Sequence, residues 1–190
     1  MSHLRFYVAI VLIGLVISGL SAQDEKQGRI GGIRAGYNGA SMYMEDNQYP
    51  SSEVHTGFYA GFYRNNKIIP LLYFGTGLEY VQNGVQFDAD NKRTMHYLSM
   101  PIDLRVKVGP VFALGGISPS FKVAEKIIEV GSSNNPGSGD KSAVFDAPLY
   151  IGAGVKILFF TVEARYHWGL LEVYNGYYNR YLQIGAELSF

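Results

Sequence analysis

The sequence predicts an all-β protein, an eight-stranded antiparallel up-and-down transmembrane β-barrel preceded by a cleaved signal peptide. Three observations carry that expectation. Apolar and polar residues alternate with a period of two through most of the chain, the mark of strands with one dry and one wet face. Charge gathers on only one of those two faces. Tight and long connections take turns along the chain, a pattern that sorts them to opposite ends of an up-and-down barrel.

The first segment carries His3 and Arg5, an apolar run from Phe6 to Leu20, then Ser21, Ala22 and Gln23. A short positive region, an apolar stretch and small residues read as a secretory signal peptide over 1–22, with 23–190 as the barrel domain. The run falls short of the roughly 20 residues that a membrane-spanning helix needs. Removing Arg5 with the leader leaves 15 Lys+Arg against 16 Asp+Glu, a balance with no general attraction for nucleic acid. The chain has no cysteine, which excludes disulfides, thiolate chemistry and a lipidated Cys after the leader. Yet it is 47% hydrophobic, with 15 Tyr and 23 Gly, a composition suited to strands with amphipathic tyrosines at interfaces.

Period-two reading between turn signals places strands at 29–38, 53–64, 68–82, 93–107, 110–123, 143–156, 157–170 and 178–190. Asn65-Asn66-Lys67, Val108-Gly109 and Lys156-Ile157 are tight steps. The segments 39–52, 83–92, 124–142 and 171–177 are longer and polar, so four long loops are expected at one end. The Gly- and Ser-rich 124–142 is the most flexible of them, and as a solvated connection it needs no ligand. The short turns and both termini then share the other end.

In the seventh strand Phe160, Val162, Ala164, Tyr166 and Trp168 oppose Phe159, Thr161, Glu163, Arg165 and His167. In the fourth, Leu98, Met100, Ile102, Leu104 and Val106 oppose Ser99, Pro101, Asp103, Arg105 and Lys107. The third and sixth strands divide in the same way. A Lys or Arg facing lipid at mid-bilayer costs about 2–4 kcal/mol, so the charged face is expected inside. There Arg34, Arg105, Lys107, Lys156 and Arg165 stand to neutralise Glu79, Asp103, Glu163 and Glu187, with His167 bonded to a carboxylate. An eight-stranded barrel is filled by its own side chains, so this network reads as a packed polar core rather than a conduit. Pro101, Pro119 and Pro148 weigh against uninterrupted strands, because each lacks a ladder donor and a closed barrel offers no edge.

No enzyme chemistry is legible. His55, His96 and His167 lie on different strands without metal-ligand spacing, and the glycine pairs precede no helix. His96 and Ser99 fall on opposite faces, unlike the His and Ser two apart of the lipid A deacylases. No cofactor is expected.

The last ten residues end Gln183, Ile184, Gly185, Ala186, Glu187, Leu188, Ser189, Phe190. Gln183, Gly185, Leu188 and Phe190 resemble the C-terminal insertion signal of outer-membrane β-barrels. The run Tyr97-Leu98-Ser99-Met100-Pro101-Ile102-Asp103-Leu104-Arg105-Val106-Lys107 with Gly109, followed by Phe112-Ala113-Leu114-Gly115-Gly116, resembles the porin-like, PorT-type outer-membrane β-barrel domain. Asp103 replaces the apolar residue more usual after that proline. The resemblance implies a bacterial outer-membrane location with periplasmic termini. The first functional expectation is a non-enzymatic integral barrel whose external loops engage protein or envelope partners or whose body supports the envelope, with outer-membrane lipid around it and the barrel-assembly machinery as partner during insertion. Two alternatives stay open: a small-solute pore, and a soluble lipocalin-like carrier with its apolar face inside.

Overall fold

The computed structural model describes residues 29–44, 53–88, 91–129, 143–158, 160–174 and 177–190. Its strands are β1 (Arg29–Met44), β2 (Glu53–Ile69), β3 (Leu72–Asp88), β4 (Asn91–Ser99), β5 (Ile102–Val108) and β6 (Val111–Ile117). They continue as β7 (Ser120–Glu129), β8 (Phe145–Asp146), β9 (Leu149–Ile157), β10 (Phe160–Tyr174) and β11 (Tyr177–Ser189). Three pairs, β4/β5, β6/β7 and β8/β9, are each one barrel strand with a short break, so eight antiparallel strands form the wall among the described residues. The first and last strands pair in register from Gly32 opposite Ser189 through Gly36 opposite Gly185, and β2 pairs with β3, which closes the ring.

The breaks fall at the three prolines. Pro101, Pro119 and Pro148 lie on neighbouring strands in one lateral row. The Gly77 N–H donates to the Pro101 carbonyl at 2.9 Å, Met100 N–H to Pro119 at 2.8 Å, and Ser118 N–H to Pro148 at 2.9 Å. Each proline therefore keeps its acceptor in use, and the wall is interrupted where its donor would be missing. A row of aligned breaks resolves the objection that a closed barrel cannot hold proline.

Side-chain alternation sets the inside and outside. Val162, Ala164 and Tyr166 of β10 are exposed, while Thr161, Glu163, Arg165 and His167 are buried. Likewise Ile102, Leu104 and Val106 point out and Asp103 and Arg105 point in. The lipocalin-like arrangement, apolar inside, is thereby excluded.

The turn expected at Asn65-Asn66-Lys67 falls at Pro70-Leu71, since β2 runs to Ile69, and all four long connections are shorter than expected, with 39–44 in β1 and 124–129 in β7. Residues 83–88 and 91–92 belong to β3 and β4, and 171–174 and 177 to β10 and β11, so these two hairpins are joined through 89–90 and 175–176. A tilted strand needs about 9–11 residues to cross the hydrocarbon, whereas β3 has 17 and β10 has 15. The surplus continues the ladder beyond that length, through residues that mix polar side chains with Val85, Phe87, Leu170, Leu171 and Val173. The long connections that stay long are 45–52 and the segment between β7 and β8, which holds the Gly- and Ser-rich stretch; 130–142 lies outside the described residues.

Candidate functional site

The candidate site is the barrel interior, built in layers from the turn end to the loop end. Arg34 of β1 meets Glu79 of β3, with Glu187 at 3.6 Å and Glu163 at 3.8 Å. Arg105 of β5 reaches Glu163 at 3.0 Å, Glu187 at 3.3 Å and Asp103 at 3.7 Å. Arg165 of β10 touches Glu79 and Glu163, both at 3.0 Å. Three guanidiniums thus knit four carboxylates, the seven side chains coming from five strands around the ring, and every one of them is 5% exposed or less. Proximity rather than linear hydrogen bonding holds much of this set, since several of its buried nitrogens and oxygens lack an aligned partner.

Aromatic rings wall the network. The Arg105 guanidinium sits 4.4 Å from the centre of Phe112, and Arg165 lies 5.1 Å from Tyr59 and 5.9 Å from Tyr150. The Tyr150 hydroxyl donates to Asp103 Oδ2 at 2.9 Å, which supplies the carboxylate that the arginines reach least closely. Inward glycines make room: a side chain at Gly75 would run into the Asp103 carboxylate, and one at Gly154 into the Phe112 ring.

Sequence reasoning placed ten residues in this network, and the structure brings eight of them together in the interior. Lys107 and Lys156 stand apart at the turn-end mouth, lining a polar vestibule of about 30 Å³ with Tyr63, Asn65 and Thr161. Among the described residues neither lysine reaches a carboxylate within ion-pair distance. Both lie close to the turns, Lys107 half-buried and Lys156 exposed. His167 also departs from expectation. Its ring is stacked between Tyr150 at 4.7 Å and Tyr181 at 4.2 Å rather than bonded to Glu163. Two flanking rings hold the imidazole plane, away from Glu163 four residues earlier.

The loop-end half of the interior was missed in the sequence. Tyr59, Val81, Met95 and Tyr97 form a buried apolar plug. Around it Asn38 contacts Asn83, Ser99 and Ser120 share a 2.7 Å hydrogen bond, and Asn179 donates to Asp146 Oδ2 at 2.7 Å. Carrying the inward phase of Tyr150 back through Pro148 to Asp146 would have found that acid. His96 lies on the outer face, stacked on Tyr80, while Ser99 points inward. Among the described residues no cluster of His, Asp and Glu has metal-binding geometry.

Of the C-terminal residues, Gln183 is buried, Leu188 and Phe190 are exposed on the lipid side, and the Phe190 N–H donates to the Gly31 carbonyl at 3.0 Å. Outer-face aromatics gather toward the loop end as Tyr37, Phe58, Tyr80, Phe121, Phe145, Tyr166 and Trp168.

An apolar, aromatic-rimmed outside around a closed, ion-paired inside defines an integral membrane β-barrel. Residues 21–175 match the family model described as "Outer membrane protein beta-barrel domain", and the chain belongs to that family. It is an integral protein of the bacterial outer membrane. Among solved structures, Neisserial surface protein A is similar at 14% identity, with 86% of this chain and 97% of that chain covered and a TM-score of 0.55. The attachment invasion locus protein Ail of Yersinia pestis is similar at 15% identity, over 86% of this chain and 99% of its own, with a TM-score of 0.51. Ail in complex with the heparin analogue sucrose octasulfate gives 14% identity, 85% and 99% coverage and a TM-score of 0.54. These likenesses concern the fold. No curated protein sequence matches the chain.

Proposed function

We propose that this barrel is a non-enzymatic scaffold that displays its extended hairpins and the 130–142 segment at the cell surface, where they engage protein or envelope partners. The carrying observation is the filled interior: an arginine–carboxylate layer and an apolar plug occupy the lumen in series, while β3 and β10 run on past the hydrocarbon. A rigid, closed body with long projections is suited to presentation, and the plug weighs against a solute pore. In this reading 1–22 is removed on export, the C-terminal Gln183, Gly185, Leu188 and Phe190 address the barrel-assembly machinery, and the termini are periplasmic. Kinship with the PorT-type branch, supported by residues 97–109, is part of the same proposal.

The Ail structure with a sulfated sugar analogue raises a polyanion as ligand. Across the loop-end segments Glu45, Asp46, Glu53, Asp88, Asp90, Glu125, Glu129, Asp140 and Glu172 outnumber Lys92, Arg93, Lys122, Lys126, Lys141 and Arg180, which favours a neutral or cationic partner surface instead. Whole cells treated with protease and a membrane-impermeant label test the reading. Cuts confined to 45–52 and 130–142, with silence in planar bilayers, are the expected result. Cleavage at 109–110 or 158–159 in intact cells, or steady conductance, refutes it.

A further inference from the structure

Two lysines stand inside the turn-end mouth of the barrel without an acid of their own. On β5 the inward phase runs Asp103, Arg105, Lys107, and on β9 it runs Tyr150, Gly152, Gly154, Lys156. Phe112 of β6 lies between them, opposite Lys107 on one side and Gly154 on the other. The two ammoniums are close enough for their charges to repel. Among the described residues Glu187 is the one acid lining this vestibule, and its oxygens go to Arg105 at 3.3 Å and Arg34 at 3.6 Å. Four carboxylates therefore face three arginines and two lysines, and positive charge is in excess at this end. Like charges side by side in a half-enclosed space favour the uptake of a counter-ion.

Neutral donors line the same space. Asn65 of β2 is 7% exposed, and Tyr73 of β3 and Thr161 of β10 extend the wall. Among the described residues none of these three engages its side chain in a hydrogen bond. At the inner end stands Arg105, 4% exposed, whose Nε–H has no aligned acceptor. A buried donor left without an acceptor is costly, so this one is a vacancy for a ligand oxygen. Tyr63 and Ser189 hold each other through a 2.8 Å hydrogen bond at the remaining side. The vestibule measures about 30 Å³, room for about two or three waters and so for a single ion of phosphate size.

We propose that this vestibule binds one small tetrahedral oxyanion, phosphate or sulfate, between Lys107 and Lys156, with further donors from Asn65, Tyr73, Thr161 and Arg105. Such an ion presents lone pairs in several directions and so meets donors spread around a ring of strands. Bonds from ammonium and guanidinium groups to it belong to the strong, charge-assisted class. The lysines face the lumen, so the ligand enters from the water at the mouth and not from headgroups around the wall. Once bound, it bridges β5 to β9 and ties the mouth to the arginine layer. The site is independent of the surface-display reading, since it requires only the closed barrel and not its orientation.

The test titrates inorganic phosphate into the barrel refolded in nonionic detergent micelles at constant ionic strength, read by calorimetry and by the phosphorus NMR shift. Saturable binding of one phosphate per chain is expected, with sulfate competing for it. Lys107→Gln/Lys156→Gln should weaken that binding about tenfold or more, the loss of a charge-assisted bond. Thr161→Val/Tyr73→Phe leaves the charge intact and should weaken it by a smaller factor. Lys126→Gln removes an equal charge from an exposed position on β7 and should leave binding unchanged. Absence of saturable binding overturns the site, as does equal weakening by Lys126→Gln, which would mark a response to net charge alone. Displacement of phosphate by phosphatidylglycerol added to the micelles would assign the lysines to lipid and overturn it too. Heat-shifted gel migration confirms folding of every variant, and Lys156→Gln alone, at an exposed position, supplies the comparison if the double variant does not fold.

Discussion

Replacing Arg165 by methionine probes the interior most directly. Its guanidinium touches Glu79 and Glu163 at 3.0 Å each, packs over Tyr59 and is 1% exposed. Methionine keeps much of the volume and removes the charge, which leaves two carboxylates short of a partner. Breaking a buried ion pair in this way costs about 3–5 kcal/mol. Arg34 still meets Glu79 and Arg105 still reaches Glu163, so the low end of that range is expected, about 3 kcal/mol. Adding Glu163→Gln should return part of the loss, because the carboxylate then carries no charge, and the double-mutant cycle should show coupling of at least ~1 kcal/mol. The assay is reversible urea unfolding of the refolded barrel in vesicles, followed by Trp168 emission and by heat-shifted migration. A loss below about 1 kcal/mol, typical of solvated pairs, would refute the reasoning, since it would mean that water fills the lumen.

Four further outcomes follow from the same geometry. Ile184→Arg, an exposed mid-strand position on β11, should destabilise the inserted barrel by about 2–4 kcal/mol in vesicle unfolding, whereas Gln183→Ala one residue away leaves the lipid face unchanged. Gly154→Val should force the Phe112 ring off Arg105 and cost about 1–3 kcal/mol, read as a lowered urea midpoint. Tyr150→Phe removes the donor to Asp103 and should cost about 1–3 kcal/mol; an unchanged midpoint would show that Asp103 is served by water. Deleting Phe190 should slow insertion into vesicles while leaving the folded fraction's protease pattern unaltered.

The alternation of single strands was fully legible. Val162 outside and Arg165 inside follow from a period of two and from the cost of a charge in hydrocarbon, both of which act within one strand. The aligned prolines were not legible, because Pro101, Pro119 and Pro148 become neighbours only when three strands pair in register. Nor was the stacked position of His167, whose ring partners Tyr150 and Tyr181 come from two other strands. The hairpin extensions of β3 and β10 escaped detection because Asn83-Gly84 reads as a turn signal in a single strand, and because a register shift between Trp168 and Glu172 breaks the alternation of β10.

Sequence by itself determined the class of this protein: strand number, which side faces lipid, and the charged residues that had to be taken inside. Tertiary structure alone decided which cation meets which acid and that an apolar plug follows the ionic layer. It also decided that Lys107 and Lys156 stand at the mouth instead of in the network. The physical reason is closure. Side-chain direction is a property of one strand, but partners across a lumen are fixed by the stagger of all eight strands once the ring is sealed.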